Sequence, residues 1–243
     1  MLSEKPWRLD AVIQLMLALL LSLSLGTLVA AMVTKLELAQ KLGGKNFASF
    51  CVVTLVFHAS ALVLIGFFLR QHRMTWSEAF GLSRGNWLRA ASLAILLTLI
   101  ILPIAWLLGE LSVRILTGLH IKYEVQQPVQ TLKATVSWGQ RVAFGVIAIG
   151  MAPVVEELVF RGIIYPFVKR LGYRRIALWG TSLFFALTHF NLMTFVPLTI
   201  LAVALTLLYE ATGTLLAPIV THSLFNAANY YWLLWQQAVA PGN

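Results

Sequence analysis

Apolar residues in this chain come in long unbroken runs, with neither the alternation of a half-buried strand nor the narrow stripe of a soluble helix. Three runs, at roughly 10–34, 48–69 and 88–109, are each about 20 residues or longer and nearly free of charge. That is the length an α-helix needs to cross a bilayer core of about 30 Å. A fourth run at 137–152 passes through Pro153 and on to about residue 170, which predicts one bent helix whose neighbours accommodate the proline. Further runs follow at about 175–190, 194–209 and 214–235, the last closing on Tyr230, Tyr231, Trp232 and Trp235. The pattern predicts an all-α, polytopic transmembrane helical bundle of about seven spans, with eight as the alternative.

The connections are polar and short. Residues 70–89 form a basic stretch with interfacial tryptophans and an amphipathic turn starting at Trp76. Glu110 to Lys133 is mixed in character and is expected at the membrane interface, partly helical, with Gln126, Gln127 and Pro128 as a breaker. Pro103 removes a backbone donor and suggests a kink in the third span. Gly139, Gly145 and Gly150 are expected to allow close helix approach. No internal repeat is evident. The organisation expected is residues 1–136 as N-terminal transmembrane helices with an interfacial segment and 137–243 as a helical core, the two forming one integrated membrane domain.

Composition agrees with the pattern: 59% of the 243 residues are hydrophobic, 11% are charged, and mean hydropathy is +0.82. The net charge of +9 comes from 18 Lys and Arg against 9 Asp and Glu, with the basic residues gathered between apolar runs. That placement suits topology determinants and anionic lipid headgroups and argues against nucleic acid as a partner. Ten Lys and Arg fall in one set of alternate connections against seven in the other. The N-terminus is therefore expected in the cytoplasm. Lys5 and Arg8 precede an apolar run far longer than the roughly 7–15 residues of a signal peptide, so a retained first span is expected. The single cysteine, Cys51, excludes an intramolecular disulfide and is read as a packing residue.

Against this background Glu156, Glu157 and Arg161 stand out, since each ionised group inside a membrane costs roughly 2.5–3.5 kcal/mol on insertion scales. Glu157 and Arg161 are four apart and share a helix face, where they can pair. Glu156 points about 100° away. The two carboxylates should therefore have different duties, one held ionised by the arginine and the other facing outward as a candidate general base. A purely structural trio that pins helices together is the plainer alternative.

Two histidines also lie in apolar helix: His189, four after Phe185, and His222, four before Asn226. His222 and Asn226 share a face and can aim donors at one point, as in an oxyanion hole. Asn229 is expected to pack between helices, His58 to be a hydrogen-bonded structural histidine, and His72 and His120 to be solvated. Glu156 with His189 could activate water for attack on a peptide bond, with His222 and Asn226 stabilising the oxyanion. The same Glu156, His189 and His222 could instead hold a divalent metal such as zinc, although no HExxH pattern is present. The residues alone favour the metal-free route only slightly.

These residues resemble the CPBP family of intramembrane proteases, which contains the CAAX prenyl endopeptidases and bacterial bacteriocin-processing and immunity proteins. Three motifs carry the likeness in order: EExxxR at Glu156, Glu157 and Arg161, FxxxH at Phe185 and His189, and HxxxN at His222 and Asn226. Together they cover about residues 137–230. The resemblance implies that Glu156 is the catalytic glutamate, Glu157 and Arg161 its support, His189 the partner that orients water, and His222 with Asn226 the oxyanion stabilisers. It implies an intramembrane endopeptidase of glutamic or metal-dependent type in the bacterial inner membrane, acting on a membrane-associated CAAX-type, leader-peptide or anchored protein. A proton-coupled transporter and a non-catalytic immunity or regulatory scaffold are the competing readings.

Overall fold

A computed structural model describes residues 5–36, 39–40, 44–82 and 87–239. Parts of the basic connections at 35–45 and 70–89 lie outside these. The described residues are helical, without strands, and form α1 (Leu9–Val33), α2 (Lys45–Gln71), α3 (Trp76–Phe80), α4 (Trp87–Gly118), α5 (Gln127–Lys133), α6 (Trp138–Arg170), α7 (Arg174–Leu187), α8 (Leu192–Thr212) and α9 (Leu216–Val239). Five of them, α1, α2, α4, α6 and α8, are long and apolar enough to cross a membrane. At 14 residues α7 is about 21 Å long and falls short of a bilayer core. α9 has the length, with 24 residues, but is interrupted by polar groups.

Local chemistry sets the ends of these elements. Thr75 and Glu78 form a reciprocal capping box that starts α3, and Gly81 ends it at φ 67°. A side chain could not replace Gly81, because its Cβ would fall 2.1 Å from the Gly213 carbonyl oxygen. Ser137 and Gln140 form a second capping box at the start of α6. Asn191 caps α8 through the Thr194 amide, and Gly213 closes it at φ 71°. α4 continues through Pro103 to Gly118, nine residues beyond the expected end of the third span. The chain from 121 to 126 is then extended before Pro128 begins α5.

α6 runs without a break through Pro153 but is not uniform. Val146–Met151 and Leu158–Ile164 are π-helical, and they flank the α-helical stretch Ala152–Glu157 that carries both glutamates. Each π stretch precedes a proline, Pro153 and Pro166. Wider turns are a way for a helix to pass a residue that has no N–H to donate. α1 lies along α2, while α4 packs against α8 and α9, and α7 against α8. The largest core joins both ends of the chain, with Trp7, Leu15, Ile65, Phe68, Phe80, Ile163, Phe185, Tyr209 and Leu215 all buried. Outward faces carry leucines such as Leu21, Leu99 and Leu107, suited to lipid. Of the three glycines expected to permit close approach, a Cβ on Gly145 would meet the Tyr230 ring at 3.4 Å, whereas one on Gly139 or Gly150 would meet nothing within 4 Å.

Candidate active site

Arg161 is 2% exposed and Glu157 fully buried, and the Arg161 Nη1 donates to Glu157 Oε1 at 2.8 Å. The i, i+4 spacing thus gives the expected pair. α8 completes the arginine's surroundings: Nη2 donates to the Ala202 carbonyl at 3.1 Å and Nε to Thr206 Oγ1 at 3.4 Å. The guanidinium also lies 4.6 Å from the centroid of the buried Phe185 ring, a cation–π contact. Buried charge is tolerable only when its donors and acceptors are met in this way. The same face continues for two more turns, where Tyr165 donates to Glu210 at 2.8 Å and Lys169 pairs with the same carboxylate.

His222 joins this cluster from α9. Its Nδ1 lies 2.9 Å from the same Glu157 Oε1 that accepts from Arg161. A carboxylate oxygen held by a guanidinium is an acceptor, so Nδ1 carries the hydrogen. Neutral His222 then has a lone pair at Nε2, and that nitrogen lies 3.8 Å from Glu156 Oε2. This is too long for a direct hydrogen bond and close enough for one water to contact both atoms. With hydrogens on both ring nitrogens His222 would donate at Nε2 as well. The spacing of Glu157 to Arg161 is readable from sequence, but a contact between residues 65 apart has no local signal.

Glu156 has the different environment expected of it. Its side chain keeps 26% exposure, and Oε2 is buried with no hydrogen-bond partner. His189 is half-buried and its Nδ1 lies 2.8 Å from the Phe185 carbonyl, which can only accept. Its Nε2 is therefore the free lone pair. The Phe185 ring sits between the two histidines, with centroid distances of 4.8 Å to His189 and 5.8 Å to His222. Phe185 thus sets the spacing of both rings and covers the arginine.

Asn226 donates through Nδ2 to the Ala148 carbonyl at 2.8 Å. In the first π stretch that carbonyl would look to the amide five residues on, and residue 153 is proline. Asn226 therefore supplies a missing donor to the backbone and retains one N–H and its carbonyl oxygen. Asn229 bonds Trp106 and the Phe225 carbonyl, as a packing amide does. His58 donates from Nδ1 to the Thr54 carbonyl, and its Nε2 is buried without a partner. His72 is not simply solvated: it is half-buried, bonds the Phe68 carbonyl through Nδ1, and accepts the Arg8 amide at Nε2. Among the described residues, no three or more His, Cys, Asp and Glu side chains stand close enough to hold a metal ion. In this arrangement Glu156, His189 and His222 do not form a ligand set.

Comparison with known proteins meets the same region. A family model described as type II CAAX prenyl endopeptidase Rce1-like matches residues 138–228, which include the glutamate pair, both histidines and Asn226. An uncharacterized protein YpbD of Bacillus subtilis is 34% identical over 76 residues, covering 30% of this chain and 36% of the relative. No solved structure matches the chain. Residues 138–228, from the start of α6 into α9, are thus similar to type II CAAX prenyl endopeptidases of the Rce1-like kind, and the chain spans about a third of the length of the curated relative it matches.

Proposed function

We propose that the chain is an intramembrane endopeptidase of glutamic type that hydrolyses a peptide bond in a membrane-associated, CAAX-type protein. The observation that carries this reading is the unpartnered Glu156 oxygen 3.8 Å from His222 Nε2. In the proposed step a water in contact with Glu156 loses a proton to the carboxylate while its oxygen bonds to the substrate carbonyl carbon. His189 orients that water through its free Nε2. His222, when its Nε2 carries a hydrogen, and the remaining N–H of Asn226 donate to the oxyanion. Collapse breaks the C–N bond, and Glu156 returns its proton to the leaving amine. Seven helices spanning the membrane, with the N-terminus cytoplasmic and the basic connections beside it, form the arrangement that goes with this reading. Its two regions, 1–136 and 137–243, work as one membrane domain, in a bacterial inner membrane.

The test uses purified protein in detergent with an internally quenched, farnesylated CAAX-type peptide and its unprenylated counterpart. The wild type should cleave the farnesylated peptide, retain activity with chelator present, and lose at least about 100-fold in rate on Glu156→Gln. Cleavage by Glu156→Gln at the wild-type rate would sink the glutamate role. Inhibition by chelator that zinc restores would replace it with metal-dependent chemistry.

A further inference from the structure

We infer that Trp7, from the short arm before α1, is a positioning residue for the active site, because its indole N–H replaces a backbone donor that Pro166 removes beside Arg161. Its effect on rate rests on the function proposed above, while its effect on α6 does not.

Gly162 lies near the end of the π stretch, just before the α-helix resumes at Tyr165; in the resumed α register its carbonyl would accept from the amide of residue 166, and that residue is proline. The Trp7 Nε1 lies 3.1 Å from this carbonyl, across 155 residues of sequence. Trp7 is 1% exposed. Its ring packs edge-on against Phe68 and His72, at 5.0 and 5.1 Å between centroids.

The rest of the arm is fastened on both sides. The Arg170 guanidinium donates to the carbonyls of Lys5 and Trp7, at 3.4 and 3.3 Å. Lys5 Nζ reaches the Glu78 carbonyl at 3.0 Å, and the Arg8 amide donates to His72 Nε2 at 3.1 Å. The arm thus ties α2, α3 and the end of α6 to one carbonyl in the second π stretch.

Gly162 is held from its other side too. A Cβ there would lie 2.6 Å from the Phe80 ring and 3.1 Å from Leu215. Gripped between Trp7 and Phe80, this glycine fixes where the π stretch lies. The preceding residue, Arg161, hydrogen-bonds Glu157, and Glu157 hydrogen-bonds His222. A small slide of the stretch would be passed to the histidine, and displacements of about 1 Å at reacting groups can cost about 100-fold in rate.

The test is a double-mutant cycle with Trp7→Phe, which keeps a ring but removes the donor, and Pro166→Ala, which returns a backbone N–H to position 166. Two readouts are taken on full-length protein: amide exchange across residues 158–164, and kcat and KM for the farnesylated peptide. Trp7→Phe should raise exchange in that segment while the melting temperature stays within a few degrees. It should lower kcat about tenfold with little change in KM, as misplacement rather than lost binding requires. Adding Pro166→Ala should restore both protection and kcat to those of the Pro166→Ala single variant. Effects that simply add in the double variant, or a Trp7→Phe variant with exchange like wild type, would overturn the inference. If the wild type cleaves neither peptide, the proposed function fails and the exchange cycle still decides the role of Trp7.

Discussion

The two π-helical stretches of α6 solve the same backbone problem in different ways. Each precedes a proline and each has a carbonyl bonded by a side chain from elsewhere, Ala148 by Asn226 and Gly162 by Trp7. The first stretch is open on one side, with Val146 at 64% exposure, whereas every residue from 158 to 163 in the second is buried. The donor to the first is itself a proposed active-site residue. The donor to the second belongs to the scaffold. Glu156 and Glu157 lie between these unlike neighbours and differ in turn: Glu157 is fully buried and bonded twice through Oε1, Glu156 keeps 26% exposure, and each has a buried Oε2 without a partner. One end of the helix is thus clamped, while the other carries the more open groups to which the proposed function gives the chemistry.

This contrast can be broken most forcefully at its clamped end. Arg161→Leu leaves Glu157 charged, buried and without its guanidinium, and should cost about 3–5 kcal/mol, measured by reversible unfolding in mixed micelles. A cost no larger than that of an exposed substitution would show that the second stretch is not clamped by charge. Gly162→Ala drives a methyl into the Phe80 ring and should cost about 1–3 kcal/mol in the same assay.

At the open end the effects shrink. Asn226→Ala leaves the Ala148 carbonyl unpaired near an exposed surface and should cost about 1 kcal/mol in stability, with most of its consequence appearing in cleavage rate. Val146→Ala, on the exposed side of the same stretch, should stay within about 0.5 kcal/mol of wild type. A larger loss for Val146→Ala than for Gly162→Ala would reverse the comparison.

Smallest is a pH effect at the exposed start of α3. Hydrogen bonds from the Thr75 amide and hydroxyl hold the Glu78 carboxyl below its ordinary range. A depressed value in the folded state contributes stability above the unfolded value, and that contribution is lost as pH falls through the folded one. Amide exchange in α3, corrected for intrinsic rates, should therefore increase below the usual carboxylate range while α6 is unchanged.

Much of this architecture can be read from the chain because long apolar runs have few structural outcomes. Each of the seven runs falls on a helix among the described residues, five of them long and apolar enough to cross a membrane, and the Glu157–Arg161 pair follows directly from helical spacing. Contacts made across the bundle are another matter. Nothing near His222 says that its Nδ1 will meet Glu157, or that Ala202 and Thr206 will receive the arginine, because those contacts depend on how α8 and α9 settle against α6. His72 reads as a solvated loop residue until the arm carrying Trp7 and Arg8 packs against it. The prolines offered one further signal. Neither Pro153 nor Pro166 has an N–H to donate, and the Ala148 and Gly162 carbonyls before them are bonded by an asparagine and a tryptophan from elsewhere in the chain.

The central claim is that adjacent glutamates divide the work, with Glu156 serving chemistry and Glu157 holding the site. It is tested most directly by measuring unfolding free energy and cleavage of the farnesylated peptide on one preparation of Glu156→Gln. The account predicts stability within about 0.5 kcal/mol of wild type together with a loss of at least about 100-fold in kcat. Near wild-type cleavage, or destabilisation as large as that of Arg161→Leu, would contradict it.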